Sequence, residues 1–229
     1  MSDERVSLSY GSWQSPITTE LIVSESISLG DMAIDGENIY WLEMRPSEDG
    51  RYVIVKRTPD GSQSDVNPAP FNARTRVHEY GGGSYVIHGG ITFFSNYADQ
   101  RVYRIDPDGL NPTAITPDGI DHRYADYTLD IYNENLITVR EDHTDPGEAS
   151  NTLVSINING IGDVRILISG ADFYSSPALS PGGSLLAWIQ WNHPNMPWDS
   201  TELWIAEVTS DGSLISPKKV KGREGESIC

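Results

Sequence analysis

The feature that most constrains this chain is a repeated unit of strands and turns. Its clearest copy runs Ser176-Pro177-Ala178-Leu179-Ser180-Pro181-Gly182-Gly183, then an apolar stretch from Ser184 to Trp191, a second from Thr201 to Val208, and the turn Ser210-Asp211-Gly212. Asn38 to Met44 with Arg51 to Arg57 and Pro59-Asp60-Gly61 keep the same order. So do Gly90 to Asn96 with Arg101 to Asp106 and Pro107-Asp108-Gly109, and Asn135 to Glu141 with Asn151 to Asn157 and Asn159-Gly160. Taking Ile39, Ile91, Leu136 and Leu185 as equivalent starts, the offsets are 52, 45 and 49 residues. That period suits a four-stranded propeller blade, typically about 40 to 50 residues. Val, Ile, Tyr, Phe and Trp dominate the strand segments and no 3.6-residue apolar rhythm is sustained, so long helices are not expected.

Runs such as Ile39-Tyr40-Trp41-Leu42 and Leu185-Leu186-Ala187-Trp188-Ile189 are apolar on both faces. Sheets stacked face to face bury both sides of their middle strands, whereas a sheet with one wet face alternates. The expected fold class is all-β: an incomplete β-propeller of about four four-stranded blades plus the start of a fifth, with blades near 30–70, 78–117, 123–170 and 173–222. Innermost strands are expected at Asp31 to Asp35, Tyr80 to His88, Tyr124 to Ile131 and Tyr174 to Leu179, and the fifth blade at Glu226-Ser227-Ile228-Cys229. An open arc exposes a sheet face at each end. This predicts marginal stability, self-association through the open blade edges, or dependence on further chain.

Charge and cysteine usage narrow the partners. The 229 residues carry 33 acidic against 16 basic groups, a net charge of −17 that repels phosphate backbones and anionic bilayers. Nucleic acid and membrane are therefore not expected as partners. The single cysteine, Cys229, cannot form an internal disulfide, no apolar run reaches the roughly 18 residues of a membrane span, and Met1-Ser2-Asp3-Glu4-Arg5 lacks a basic then apolar leader. The expected location is the cytoplasm.

Several unusual strings carry a resemblance. Tyr10-Gly11-Ser12-Trp13-Gln14-Ser15-Pro16-Ile17-Thr18, Arg74-Thr75-Arg76-Val77-His78-Glu79-Tyr80-Gly81-Gly82-Gly83-Ser84-Tyr85, Val139-Arg140-Glu141-Asp142-His143, Gly147 to Val154 and His193-Pro194-Asn195-Met196-Pro197-Trp198-Asp199 resemble the prolyl oligopeptidase superfamily of serine peptidases. More narrowly, they are similar to its bacterial acylaminoacyl-peptidase and dipeptidyl-peptidase-like branch. The resemblance implies a propeller, usually of seven blades, over a C-terminal α/β-hydrolase domain bearing Ser, Asp and His, which cleaves short peptides by acyl transfer to an activated serine and needs no cofactor. The Gly-x-Ser-x-Gly nucleophile elbow of such a domain does not occur in this sequence: Gly82-Gly83-Ser84-Tyr85-Val86 and Gly182-Gly183-Ser184-Leu185-Leu186 both lack the closing glycine. No catalytic residue is assigned. The expectation is a truncated product or fragment, a non-catalytic propeller that gates or orients short peptides for that hydrolase domain. The alternative is a stand-alone propeller that binds protein or peptide without catalysis.

Candidate substrate-binding or domain-interface residues follow from the same strings. His78, Glu79 and Tyr80 beside Gly81-Gly82-Gly83 either face a substrate passage or are hydrogen-bonded to a neighbouring blade across a crowded inner strand. Arg74 and Arg76 either pair with a substrate or hydrolase-domain carboxylate or form an inter-blade salt bridge. His193, Trp198 and Asp199 lie in a proline-rich loop that either makes contacts or caps its own blade with Trp198. Glu141, with Asp142, His143, Asp145 and Glu148, forms an acidic stretch that either attracts a peptide amino terminus or is a solvated surface loop. No metal site is expected: the five histidines show no ligand spacing, and the second histidine that a zinc-peptidase helix motif would need after His78-Glu79 is Gly82.

Overall fold

The repeat folds as its period demands. The structure, a computed structural model, describes residues 8–12, 15–19, 26–109, 111–162 and 164–228. Trp13, Gln14 and Cys229 lie outside the described residues. Four four-stranded antiparallel sheets follow one another along the chain. The first comprises β1 (Ser28–Asp35), β2 (Asn38–Arg45), β3 (Arg51–Arg57) and β4 (Gln63–Asp65), and the second β5 (Tyr85–His88), β6 (Ile91–Ser95), β7 (Val102–Ile105) and β8 (Thr113–Ala114). The third comprises β9 (His122–Asp130), β10 (Asn135–Asp142), β11 (Ser150–Asn157) and β12 (Val164–Ile168), and the fourth β13 (Phe173–Leu179), β14 (Leu185–Trp191), β15 (Glu202–Val208) and β16 (Leu214–Lys221). Each sheet is a meander in sequence order, as hairpin turns dictate.

Those turns share local chemistry. In blades 1 and 4 an Asp side chain receives the N–H of the residue two places on, Ser62 to Asp60 at 3.0 Å and Ser213 to Asp211 at 3.2 Å. The intervening Gly61 and Gly212 sit at φ 88° and 73°, backbone that a side chain would strain.

Three apolar clusters join the four blades. Tyr40, Leu42 and Ile54 of blade 1 meet Phe94 and Ile105 of blade 2, and Phe93 and Val102 of blade 2 meet Leu136, Val154 and Ile156 of blade 3. Ile137, Val139 and Leu153 of blade 3 then meet Leu186, Trp188 and Ala206 of blade 4. Adjacent residues of one strand thus serve different interfaces, Phe93 facing one way and Phe94 the other, which is why the middle strands are apolar on both faces. The two end blades are unlike: in blade 4 Leu186 and Trp188 are buried, while Leu185 is exposed and Ala187 and Ile189 are half-buried, whereas in blade 1 Val53 and Val55 are as buried as Ile54, so the exposed sheet face expected at that end is corrected. Innermost strands touch in succession, β1 with β5, β5 with β9 and β9 with β13, and no contact of similar extent joins β13 to β1 among the described residues. The fold is an incomplete β-propeller whose four blades form an open arc.

Two expected strands differ. Tyr80 to Ser84 do not join the inner strand of blade 2, which begins at Tyr85. His78 and Glu79 take left-handed backbone at φ 56° and 65°, and Gly81 N–H closes on the Val77 carbonyl at 2.8 Å, so this segment is a compact loop. Residues 226–228 form no strand; Thr201 N–H donates to the Glu226 carbonyl at 3.0 Å and Ile228 N–H to Thr201 Oγ1 at 2.6 Å, tying them to the start of β15.

Candidate functional site: an acidic aromatic cleft

The β10–β11 and β14–β15 loops, the connection from β12 to β13 and the loop before β5 all open on one rim of the arc. They enclose a cleft of about 750 Å³ between blades 2, 3 and 4. His78, Glu79, Tyr80, Glu141 and His193 line it, joined by His143, Glu148, Asp172, Phe173 and Trp191.

Glu141 organises the floor. It lies on β10 and is 4% exposed, so the expected acidic surface loop is corrected at this position: the carboxylate is a buried strand residue, because its partners come from two other segments. Oε1 accepts the His78 N–H at 2.6 Å, and the His78 Nδ1 stands 3.5 Å away. Oε2 accepts from His143 Nε2 at 3.1 Å and faces the Arg123 guanidinium at 3.8 Å. Burial pushes this carboxyl up, but the His78 ring and amide and the His143 ring outweigh it and hold it below the ordinary carboxylate range. His78 Nε2 donates to the Tyr174 carbonyl at 3.0 Å, since a carbonyl can only accept; the buried Nδ1 has no hydrogen-bond partner. Glu79, more exposed, accepts from Arg123 Nη1 at 2.6 Å.

The walls are aromatic. Phe173 and Trp191 stack at 5.3 Å with 16° between their planes, His78 lies 5.7 and 5.3 Å from them, and the His193 ring is 4.9 Å from Phe173. His193 is held by Asp172, whose Oδ2 accepts its N–H at 2.9 Å and its Nδ1 at 3.2 Å. Carboxylates beside flat π-faces favour an ammonium group, which both attract.

The hydrogen-bonded reading of the His78-Glu79 segment holds, because the residues that line the cleft also bridge to blades 3 and 4. The close approach expected of the glycines is present: a Cβ on Gly82 would lie 2.9 Å from Asp126 Oδ1, the atom that accepts the Gly83 N–H at 2.7 Å. The arginines correct the salt-bridge expectation. Among the described residues neither Arg74 nor Arg76 is ion-paired; both guanidinium groups stack on Tyr97, at 4.9 and 4.5 Å, and Arg74 also on Tyr52 at 5.3 Å. Trp198 is 66% exposed, so it does not cap its blade, and Asp199 closes its own turn by accepting the Met196 N–H at 3.0 Å. Neither lines the cleft, although Met196 does.

Sequence reasoning missed Phe173, Trp191, Asp172 and Arg123. Their signal is positional: Trp191 ends the second strand of its blade, as Asp142 ends that of blade 3, and Phe173 begins an inner strand, so all lie on one rim of the ring. Among the described residues no cluster of histidine, cysteine and acidic side chains is arranged to hold a metal ion, and no helix is long and apolar enough to cross a membrane.

Comparison with known proteins gives a relationship. No family model and no curated protein matches the chain. Among solved structures, a Mycobacterium tuberculosis puromycin-hydrolyzing peptidase is 40% identical over 97% of this chain, with a TM-score of 0.88. Puromycin hydrolase is 33% identical over 94%, and a mutant of it complexed with PGG is 32% identical over 94%, each with a TM-score of 0.85. This chain spans 36% of the length of the first two and 35% of the third. Identity of this order across an arc of blades places the chain in the prolyl oligopeptidase superfamily of serine peptidases, as a β-propeller portion.

Proposed function

We propose that the chain is a non-catalytic propeller part of a cytoplasmic serine peptidase, which gates or orients short peptides for a C-terminal α/β-hydrolase domain. The observation that carries this reading is the acidic aromatic cleft, together with 40% identity to a puromycin-hydrolyzing peptidase of which the chain spans 36%. Glu141 and Glu79 attract the free amino end of a peptide, and Phe173 and Trp191 pack against the first side chain. The cleft holds paired acids and imidazoles but no serine, cysteine or threonine hydrogen-bonded to a base, the arrangement acyl transfer requires. Ser150, Thr152 and Ser169 line the cleft without such a partner among the described residues. Chemistry therefore belongs to the hydrolase domain, and the resemblance to the acylaminoacyl-peptidase and dipeptidyl-peptidase-like branch agrees with that division.

The test is direct. Alanyl p-nitroanilide incubated with the purified chain is expected to release no p-nitroaniline above buffer. Release that a serine-directed phosphonate abolishes would overturn the reading. The alternative of a stand-alone peptide-binding propeller shares the cleft and the absence of turnover. It differs in requiring no hydrolase frame downstream of the Cys229 codon.

A further inference from the structure

The loop that carries Glu79 begins at a cation that no acidic side chain among the described residues neutralises. In a chain of net charge −17, Arg74 is exposed and makes no ion pair among the described residues. Its guanidinium lies over the rings of Tyr52 and Tyr97, at 5.3 and 4.9 Å. Such stacking engages the faces of the guanidinium and leaves its N–H edge, the part that grips a carboxylate in a fork, unspent. Arg74 lines a groove of about 150 Å³ with Asp31, Tyr52, Thr75 and Tyr80; Asp31 stays beyond ion-pair distance. Tyr80, 60% exposed, lines both this groove and the acidic cleft, so the two adjoin across one side chain.

Spacing fits a small ligand. Arg74 and Glu79 are five residues apart, which caps their Cα separation at about 18 Å. The segment is folded well below that limit, with Glu79 N–H on the Arg76 carbonyl at 2.9 Å and Gly81 N–H on Val77 at 2.8 Å. An extended tripeptide spans about 10 Å, within that limit.

We propose that Arg74 is a carboxylate subsite continuous with the acidic cleft, so that the ligands are short peptides with both ends free: amine at Glu79 and Glu141, backbone across Tyr80, carboxylate at Arg74. The inference rests on the cleft taking a peptide amino end. It adds that the far end is read too, which favours tripeptide-sized ligands over long chains.

Isothermal titration calorimetry of the whole chain with tri-alanine, its C-terminal amide and its N-acetyl form separates the two ideas. Tri-alanine is expected to bind about tenfold more tightly than the amide, the scale of one lost charge-assisted contact. Arg74→Gln is expected to remove that difference by weakening the free acid alone, with Arg74→Lys intermediate. Free acid and amide binding alike, with Arg74→Gln silent, would overturn the proposal while leaving the cleft reading intact, and would assign Arg74 to a protein carboxylate instead. Acetylation without effect, or no binding by any of the three, would overturn the cleft reading and this proposal with it.

Discussion

Trp188→Ala is expected to destabilise the chain by about 3–5 kcal/mol, the range for removing a large aromatic side chain from a close-packed core. Trp188 is 1% exposed between blades 3 and 4, packed with Ile137, Val139, Leu153 and Tyr174 and stacked on Trp204 at 6.3 Å. Its Nε1 donates to Gln190 Oε1 at 2.9 Å, a contact that also vanishes. Net stabilities of natural domains are about 5–15 kcal/mol, so a loss of this size is a large fraction of the total. The urea midpoint should therefore fall steeply, with the variant substantially unfolded at 37 °C. Trp198→Ala is the control: that side chain is 66% exposed, and its loss should move stability by no more than about 0.5 kcal/mol. Equal effects of the two would contradict the inter-blade packing described above.

Glu141→Ala carries the second large expectation, about 3 kcal/mol lost together with peptide binding. The substitution strips the half-buried His78 N–H of its acceptor at 2.6 Å and leaves His143 and Arg123 without the carboxylate they share. It also releases a loop whose His78 and Glu79 are held in left-handed backbone at a cost of about 1–2 kcal/mol each. The pH dependence has a definite sign. The Glu141 carboxyl is held below its ordinary value in the folded state, so its contribution is present above the unfolded value of about 4.3 and is lost as pH falls through the lower folded value. The groups facing it are His78, His143, Arg123 and, through Arg123, Glu79. Glu141→Gln should therefore be less stable than the parent at pH 7 and converge toward it below pH 4. Parallel denaturation curves at both pH values would contradict this role.

The architecture was legible in the sequence because a blade is built from local signals. Hairpin turns, apolar strands and a constant period lie within about fifty residues, and apolarity on both faces of Phe93-Phe94 follows from stacking between blades 1 and 3. The close approach at Gly82 was also readable, since a Cβ there would crowd Asp126 Oδ1 at 2.9 Å and Ala125 Cβ at 3.1 Å. The cleft was readable only in part. Glu141 and His78 meet across 63 positions of sequence, and His78 and Tyr174 across 96, distances at which no spacing rule operates. Its acids and histidines stood out as unusual residue types, whereas Phe173 and Trp191 looked like ordinary strand aromatics until the ring brought their strand ends to one rim. The arginines failed for a different reason: salt-bridge reasoning counts charges, and Arg74 and Arg76 found tyrosine rings instead of acids.

Photo-crosslinking tests the central claim most directly. A tri-alanine analogue with a diazirine on its first side chain, irradiated with the whole chain and mapped by peptide mass spectrometry, should label residues 141–152, 170–173 and 191–196. Excess unlabelled tri-alanine should compete that labelling away. Competable labelling elsewhere, on the outer strands or on the exposed face of blade 4, would show that the peptide site lies outside the cleft.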